Sequence, residues 1–154
     1  MLDLDSVYDN VQVSNNIFVT TGGVPLIDNP RENDVRFQGN AYYGSGSSFK
    51  VNWNGVSYPS LSAFRLGTGQ ERLDGESVGY WLNPRLRAAG RGGTVGYPGK
   101  LSTLRAYTLR GTSRMIGRGL DLRARFGIGV GTHDFYGNRI PRGTRFDLGV
   151  HEAR

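Results

Sequence analysis

Residues 9–18, Asp-Asn-Val-Gln-Val-Ser-Asn-Asn-Ile-Phe, recur 24 positions later as residues 33–42, Asn-Asp-Val-Arg-Phe-Gln-Gly-Asn-Ala-Tyr. At that offset Val11 falls on Val35, Val13 on Phe37, Asn16 on Asn40, Ile17 on Ala41 and Phe18 on Tyr42. Each copy alternates apolar and polar residues over one short strand, breaks at a polar pair, and opens a second short strand with Asn. A period in the twenties built only from short strands is the signature of a solenoid. One such turn cannot bury its apolar face alone, so Val11 and Val13 need Val35 and Phe37 stacked on them. Stacked Asn16 and Asn40 would satisfy each other and the backbone at a tight corner. The expected fold is all-β, a parallel β-helix.

The rest of the chain predicts departures from that repeat. Thr21-Gly22-Gly23 is a turn, Val24-Pro25-Leu26-Ile27 a short strand and Asp28-Asn29-Pro30-Arg31-Glu32 a surface loop, so one turn holds about three strands. Phe49, Val51 and Trp53 alternate with polar residues, and Asn54-Gly55 turns the chain back through Val56-Ser57-Tyr58 as a hairpin. Ser60 caps a short helix carrying Leu61, Ala63, Phe64 and Leu66 and ended by Gly67. Residues 67–100 read as an irregular surface excursion, Leu101 to Leu109 as renewed order, and Leu120, Leu122 and Phe126 as one helical turn. At its end the chain shows turn chemistry between apolar alternations, with Asp134, Gly137, Asn138, Pro141, Asp147 and Gly149 as a structural cap. The chain is expected to be a single fragment of a β-helix: 1–45 the last regular turns, 46–100 the hairpin, short helix and excursion, and 101–154 the closing cap.

Composition fits short segments and tight turns: 24 of 154 residues are Gly and 37% are hydrophobic. The absence of cysteine removes disulfides, thiolate metal sites and thiol nucleophiles. No apolar run reaches the roughly 18 residues of a membrane span, and Met1-Leu2-Asp3-Leu4-Asp5 is no signal peptide. Charge is split: residues 1–83 hold nine acids and five bases (net −4), residues 84–154 fourteen bases and four acids (net +10). The basic half suits an anionic partner, polyuronate, nucleic acid or surface. Its arginines are dispersed among Gly, Leu and Thr, as a solvated surface would have them, which weighs against nucleic acid.

Tail residues Asp134-Phe135-Tyr136-Gly137-Asn138, Ile140-Pro141, Asp147-Leu148-Gly149-Val150 and Glu152 resemble the end of bacterial right-handed parallel β-helix proteins of the pectate-lyase-like superfamily. Tyr107 to Ile116 resembles a segment that precedes that end, with Arg114 where the family has Pro and Gly117 where it has Asp. Asn15 to Phe18, Asn40 to Gly44, and Ser60 to Phe64 with Thr68 to Glu71 resemble its turns. The resemblance implies a longer, secreted parent, extracellular or at the cell surface, of which this chain is the C-terminal part, Met1 falling inside the solenoid. It implies polysaccharide as the partner and leaves open whether the parent is a lyase, a glycoside hydrolase or a noncatalytic carbohydrate-binding or surface-display module.

No catalytic motif is found in the chain. Asp134, Asp147 and Glu152 are paired carboxylates of the type that hydrolyse glycosides, but flanking Gly marks Asp134 and Asp147 as turn caps. His133 and His151 lack metal-ligand spacing, so no zinc is expected; Asp3, Asp5 and Asp9 form a loose acidic run that leaves calcium as the alternative to the expected absence of any cofactor. Gly127-Ile128-Gly129-Val130-Gly131 lacks the strand, helix and distal acid of a dinucleotide site. Tyr43, Trp53, Tyr80 and Trp81 are the candidates for stacking on sugar rings, with Trp53 in phase with core positions. An N-terminal turn with nothing stacked on it is expected to drive self-association.

Overall fold

The computed structural model describes residues 1–31, 34–46, 48–91 and 104–153, which form two compact units, Met1–Asn83 and Pro84–Arg154. The described chain is strand-rich, with two short α-helices and small sheets of mixed sense.

In the first unit the strands are β1 (Leu2–Asp3), β2 (Val11–Ser14), β3 (Ile17–Thr21), β4 (Ile27–Asn29), β5 (Val35–Gln38), β6 (Ala41–Ser45), β7 (Val51–Trp53) and β8 (Val56–Tyr58). β2 pairs parallel with β5, and Val11 lies opposite Val35 and Val13 opposite Phe37. β3 pairs parallel with β6, Ile17 opposite Ala41 and Phe18 opposite Tyr42. β4 lies parallel between β1 and β7, Ile27 opposite both Leu2 and Val51. The register is thus the 24-residue offset of the sequence repeat in three of these four pairings and 25 in the other.

Burial follows that pairing. Val35, Phe37, Ala41 and Tyr42 are buried, β6 being paired on both sides and the far edge of β5 being covered by Gln70 and Glu71, whereas their partners Val11, Val13, Ile17 and Phe18 on the edge strands β2 and β3 are half-buried. Around Leu26, Ile27, Val51 and Leu61 the rings pack in sequence, Phe18 stacked on Tyr42 (5.4 Å) and Phe37 edge-on to Trp53 (5.6 Å), which meets Phe64 (5.6 Å). At the corner, the Asn40 side chain accepts the Asn16 backbone N–H (2.9 Å) and side-chain amide (3.2 Å), and donates to Val13 O (2.9 Å).

Several local expectations are corrected. The strand expected at Val24–Ile27 is shifted to Ile27–Asn29, so Asp28 and Asn29 are not loop. Pro25 brings no N–H to a ladder, while the Leu26 N–H reaches Lys50 O and the Asn54 N–H reaches Asn29 O. Helix α1 (Leu61–Thr68), capped by the Ser60 side chain on the Ala63 N–H, runs through Gly67 and ends at Gly69, whose φ is 73°. Gly67 is there for packing, since a Cβ at that position would stand 2.6 Å from the Tyr58 ring. The irregular excursion contains an antiparallel pair, β9 (Arg72–Leu73) with β10 (Glu76–Ser77), and β11 (Tyr80–Trp81), which joins β6 in parallel, Trp81 opposite Tyr42. Residues 92–103, covering the start of the renewed order expected from Leu101, lie outside the described residues.

The second unit holds a 3₁₀ turn at Arg105–Tyr107, an antiparallel bridge between Leu86 and Leu109, and helix α2 (Leu122–Phe126), capped by Asp121 and ended by Gly127. The hairpin expected at the end is one bridge, His133 with Arg139; no strand forms there among the described residues. Buried Met115 and Leu148 are joined by the Leu148 N–H on Met115 O (3.1 Å).

Candidate functional site

Of the four aromatic candidates, Trp53 is a core residue, 6% exposed between Phe37 and Phe64, and offers no face to a ligand. Trp81, on the edge strand β11, is 39% exposed. Its ring stands edge-on to buried Phe49 (5.3 Å, 85°) and beside half-buried Tyr43 (6.4 Å, 40°). Phe49 in turn meets Tyr42 edge-on (5.8 Å), so the Tyr43–Trp81 pair is anchored in the core. Tyr80 is half-buried, its backbone N–H on Asn40 O (2.8 Å). The structure therefore brings Tyr43 and Trp81 together and leaves Trp53 apart from them.

The most buried acid was not singled out as a candidate from sequence. Glu71, with φ 53°, is fully buried and accepts four donors: the Gly39 N–H (2.6 Å), the Asn40 N–H (3.3 Å), the Asn40 side-chain amide (2.7 Å) and the Tyr42 hydroxyl (2.7 Å). Burial raises its pKa, and these hydrogen bonds pull it back. Burial and the Glu71 charge together raise Tyr42 well above an ordinary tyrosine. Arg65 of α1 donates to Val78 O and to Gly79 O (2.8 Å), holding the segment that covers the carboxylate. Glu71 is closed to substrate and saturated, so it terminates the Asn16–Asn40 ladder and is not a general acid. Its sequence signal was the Gln70-Glu71 pair after a Gly-ended helix.

In the second unit, three carboxylates organise the tail. Asp134 accepts the N–H groups of Tyr136 (2.8 Å), Asn138 (2.7 Å) and Glu152 (2.7 Å) and the Asn138 side-chain amide (2.9 Å). Burial pushes its pKa up, and those bonds outweigh it, leaving the carboxyl below its ordinary value. Asp147 accepts from Gly117 (2.7 Å) and Ala153 (2.7 Å), and Glu152 from Arg142 (3.3 Å) and Asp147 (3.2 Å), all backbone N–H groups. Gly137 and Gly149 take positive φ, and the Ile140-Pro141 peptide is cis. His151 Nδ1 accepts the Leu109 N–H (3.1 Å), and burial lowers its pKa.

No protein-family model, curated protein or solved structure matches this chain. The likeness of its tail to pectate-lyase-like proteins therefore rests on the residues quoted above. Among the described residues no group of three or more His, Cys, Asp or Glu side chains is placed to hold a metal ion, and no helix is long and apolar enough to cross a membrane.

Proposed function

We propose that this chain forms the C-terminal turns and closing cap of a longer right-handed parallel β-helix protein of the pectate-lyase-like kind, extracellular or at the cell surface, whose partner is polysaccharide. The β-helix is supported by parallel pairing at an offset of 24 or 25 residues through three separate sheets, with an asparagine ladder at one corner. Strand triplets stacked at constant offset are the repeating unit of a solenoid. The chain itself contributes binding and closure, not catalysis: its most buried acid is saturated by internal donors, and the tail carboxylates hold backbone N–H groups.

The observation that carries the carbohydrate reading is the Tyr43–Trp81 pair, partly exposed and backed by Phe49. Aromatic faces held rigid by a core give large contact area at little entropic cost, which suits stacking on sugar rings. Affinity electrophoresis through a panel of neutral and acidic polysaccharides tests it. Retardation by at least one polysaccharide is expected, with Trp81→Ala and Tyr43→Ala each weakening it about tenfold, the roughly 1.4 kcal/mol of one lost ring contact. Equal retardation of wild type and both variants, or none by any polysaccharide, would reject it.

A further inference from the structure

We infer that a cleft in the second unit, lined by Arg118, Arg142 and Arg145, is an oxyanion-binding subsite for a saccharide carrying carboxylate or sulfate; the inference rests on the carbohydrate reading above. The cleft encloses about 430 Å³, within the range of small-ligand sites and enough for one to two sugar rings. Its walls are the 116–118 and 142–145 segments and its floor is Asp147, Glu152 and Ala153.

Three guanidiniums against two carboxylates leave the cleft a net positive charge, and the acids are turned away from a ligand. Here both acids are only 6% exposed, and every one of their oxygens accepts a backbone N–H: Asp147 from Gly117 and Ala153, Glu152 from Arg142 and Asp147. Their oxygens are engaged by the chain, whereas all three arginines that line the cleft are exposed. The walls are fixed to each other by the Gly119 N–H on Phe146 O (2.9 Å) and the Leu148 N–H on Met115 O (3.1 Å). Arg142 is further oriented by its bond to the Asn138 side chain (3.0 Å). The Arg145 stem lies beside Gly117, where an added Cβ would meet it at 3.7 Å. The guanidinium fork matches a planar or tetrahedral oxyanion through paired N–H donors, and a rigid cleft loses little on binding one. A concave pocket with arginines on facing walls suits one anionic group, while a duplex requires basic residues tracking successive phosphates.

The test is an NMR titration of the full chain at constant ionic strength, following arginine side-chain Nε–H signals and the Trp81 indole. The probes are a uronate-containing oligosaccharide, a sulfated one, a neutral one, sodium sulfate alone and a DNA duplex, with Arg142→Gln/Arg145→Gln as the variant and thermal melting as its folding control. Acidic oligosaccharide is expected to shift the signals of the cleft arginines and to bind the folded variant at least tenfold more weakly, with neutral saccharide unaffected; comparison of the uronate and sulfate arms identifies the group preferred. Acidic saccharide that shifts Trp81 but no cleft arginine overturns the subsite and leaves the carbohydrate reading standing. Silence of both sets of signals towards every saccharide rejects both. Response to sodium sulfate with none to either acidic oligosaccharide shows an adventitious ion only, and tighter binding of duplex DNA than of any saccharide assigns the arginines to nucleic acid; either result overturns the inference. If the variant unfolds, the Arg145→Lys form, which keeps charge but not the fork, is expected to weaken acidic saccharide, and unchanged affinity in it counts against the site.

Discussion

Glu71 and Asp134 are each a single acid on which a segment closes, and their pKa values are displaced in opposite directions, Glu71 upward by burial and Asp134 downward by its hydrogen bonds. Glu71 faces only donors, so Glu71→Gln turns an amide NH₂ towards at least one of them and leaves buried hydrogens unpaired. The expected cost is about 1–3 kcal/mol, read by urea denaturation, against roughly 0.5 kcal/mol or less for Glu76→Gln on the surface; equal costs would mean that the network is not holding the segment. For pH the signs separate. A carboxyl held below its ordinary value, as Asp134 is, contributes stability that is present above that value and lost as pH falls through the folded one. Burial raises Glu152, which contributes in the opposite sense, its stabilising effect present at low pH and lost as pH rises through its folded value. His151, lowered by burial from 6.5, stabilises above that pH and loses its contribution as pH falls below it. Thermal melts of the wild type between pH 7.5 and 5.5 are therefore expected to fall more steeply than those of His151→Asn, whose side-chain oxygen can still accept the Leu109 N–H without titrating. Parallel melting curves for the two proteins would rule this out.

At the scale of elements, the edge of β5 shows how a short sheet is closed without another strand. Gln70, just beyond α1, uses its side-chain amide as a strand would, accepting the Phe37 N–H (2.7 Å) and donating to Val35 O (2.8 Å), and the Glu71 N–H adds a bond to Phe37 O (2.7 Å). An unpaired edge is a site for unwanted pairing, and this segment covers it. Gln70→Ala is expected to raise amide exchange at Phe37 at least tenfold while leaving Ile17 to Thr20 unchanged, as followed by NMR; unchanged exchange at Phe37 would refute this. Much of the element order was legible: strict alternation in Val11-Gln12-Val13 and Val35-Arg36-Phe37 marks half-buried strands, and Asn54-Gly55 marks the hairpin. The end of α1 was not, because Gly67 and Gly69 both read as stops and only the Tyr58 ring distinguishes them. Of the candidate site, Trp53 betrayed its burial by its phase, whereas the pairing of Tyr43 with Trp81 depends on β11 joining β6 across a 39-residue offset that no local pattern encodes. The cleft arginines are brought together by the carboxylate bonds beneath them and by backbone bonds between the two walls, none of which a local pattern encodes.

At the scale of the whole molecule, the proposed solenoid implies unequal protection along the chain. Interior strands are stabilised from two sides, and β1, β2 and β3 are each paired on one side only. Val11, Val13, Ile17 and Phe18 are half-buried where their partners one repeat later are buried, since nothing covers β2 and β3 as β11 covers β6 and Gln70 covers β5. Completing the burial of such a side chain is worth a good part of the roughly 1.5–3 kcal/mol gained from full exposure to full burial, so a second surface that covers all four would gain several kcal/mol. The outer edges of β2 and β3 carry no lysine or arginine to discourage pairing. Self-association through this end is therefore expected, with residues 1–20 the least protected part of the isolated chain. Sedimentation velocity across a hundredfold range of concentration is expected to show a reversible shift to larger species, suppressed by Val13→Lys, and hydrogen exchange in residues 9–18 is expected to be faster than in residues 133–152 at the dilute end and to slow as the species grow. A monomer at every concentration, with residues 9–18 exchanging more slowly than the tail, would show that the N-terminal strands need no neighbour.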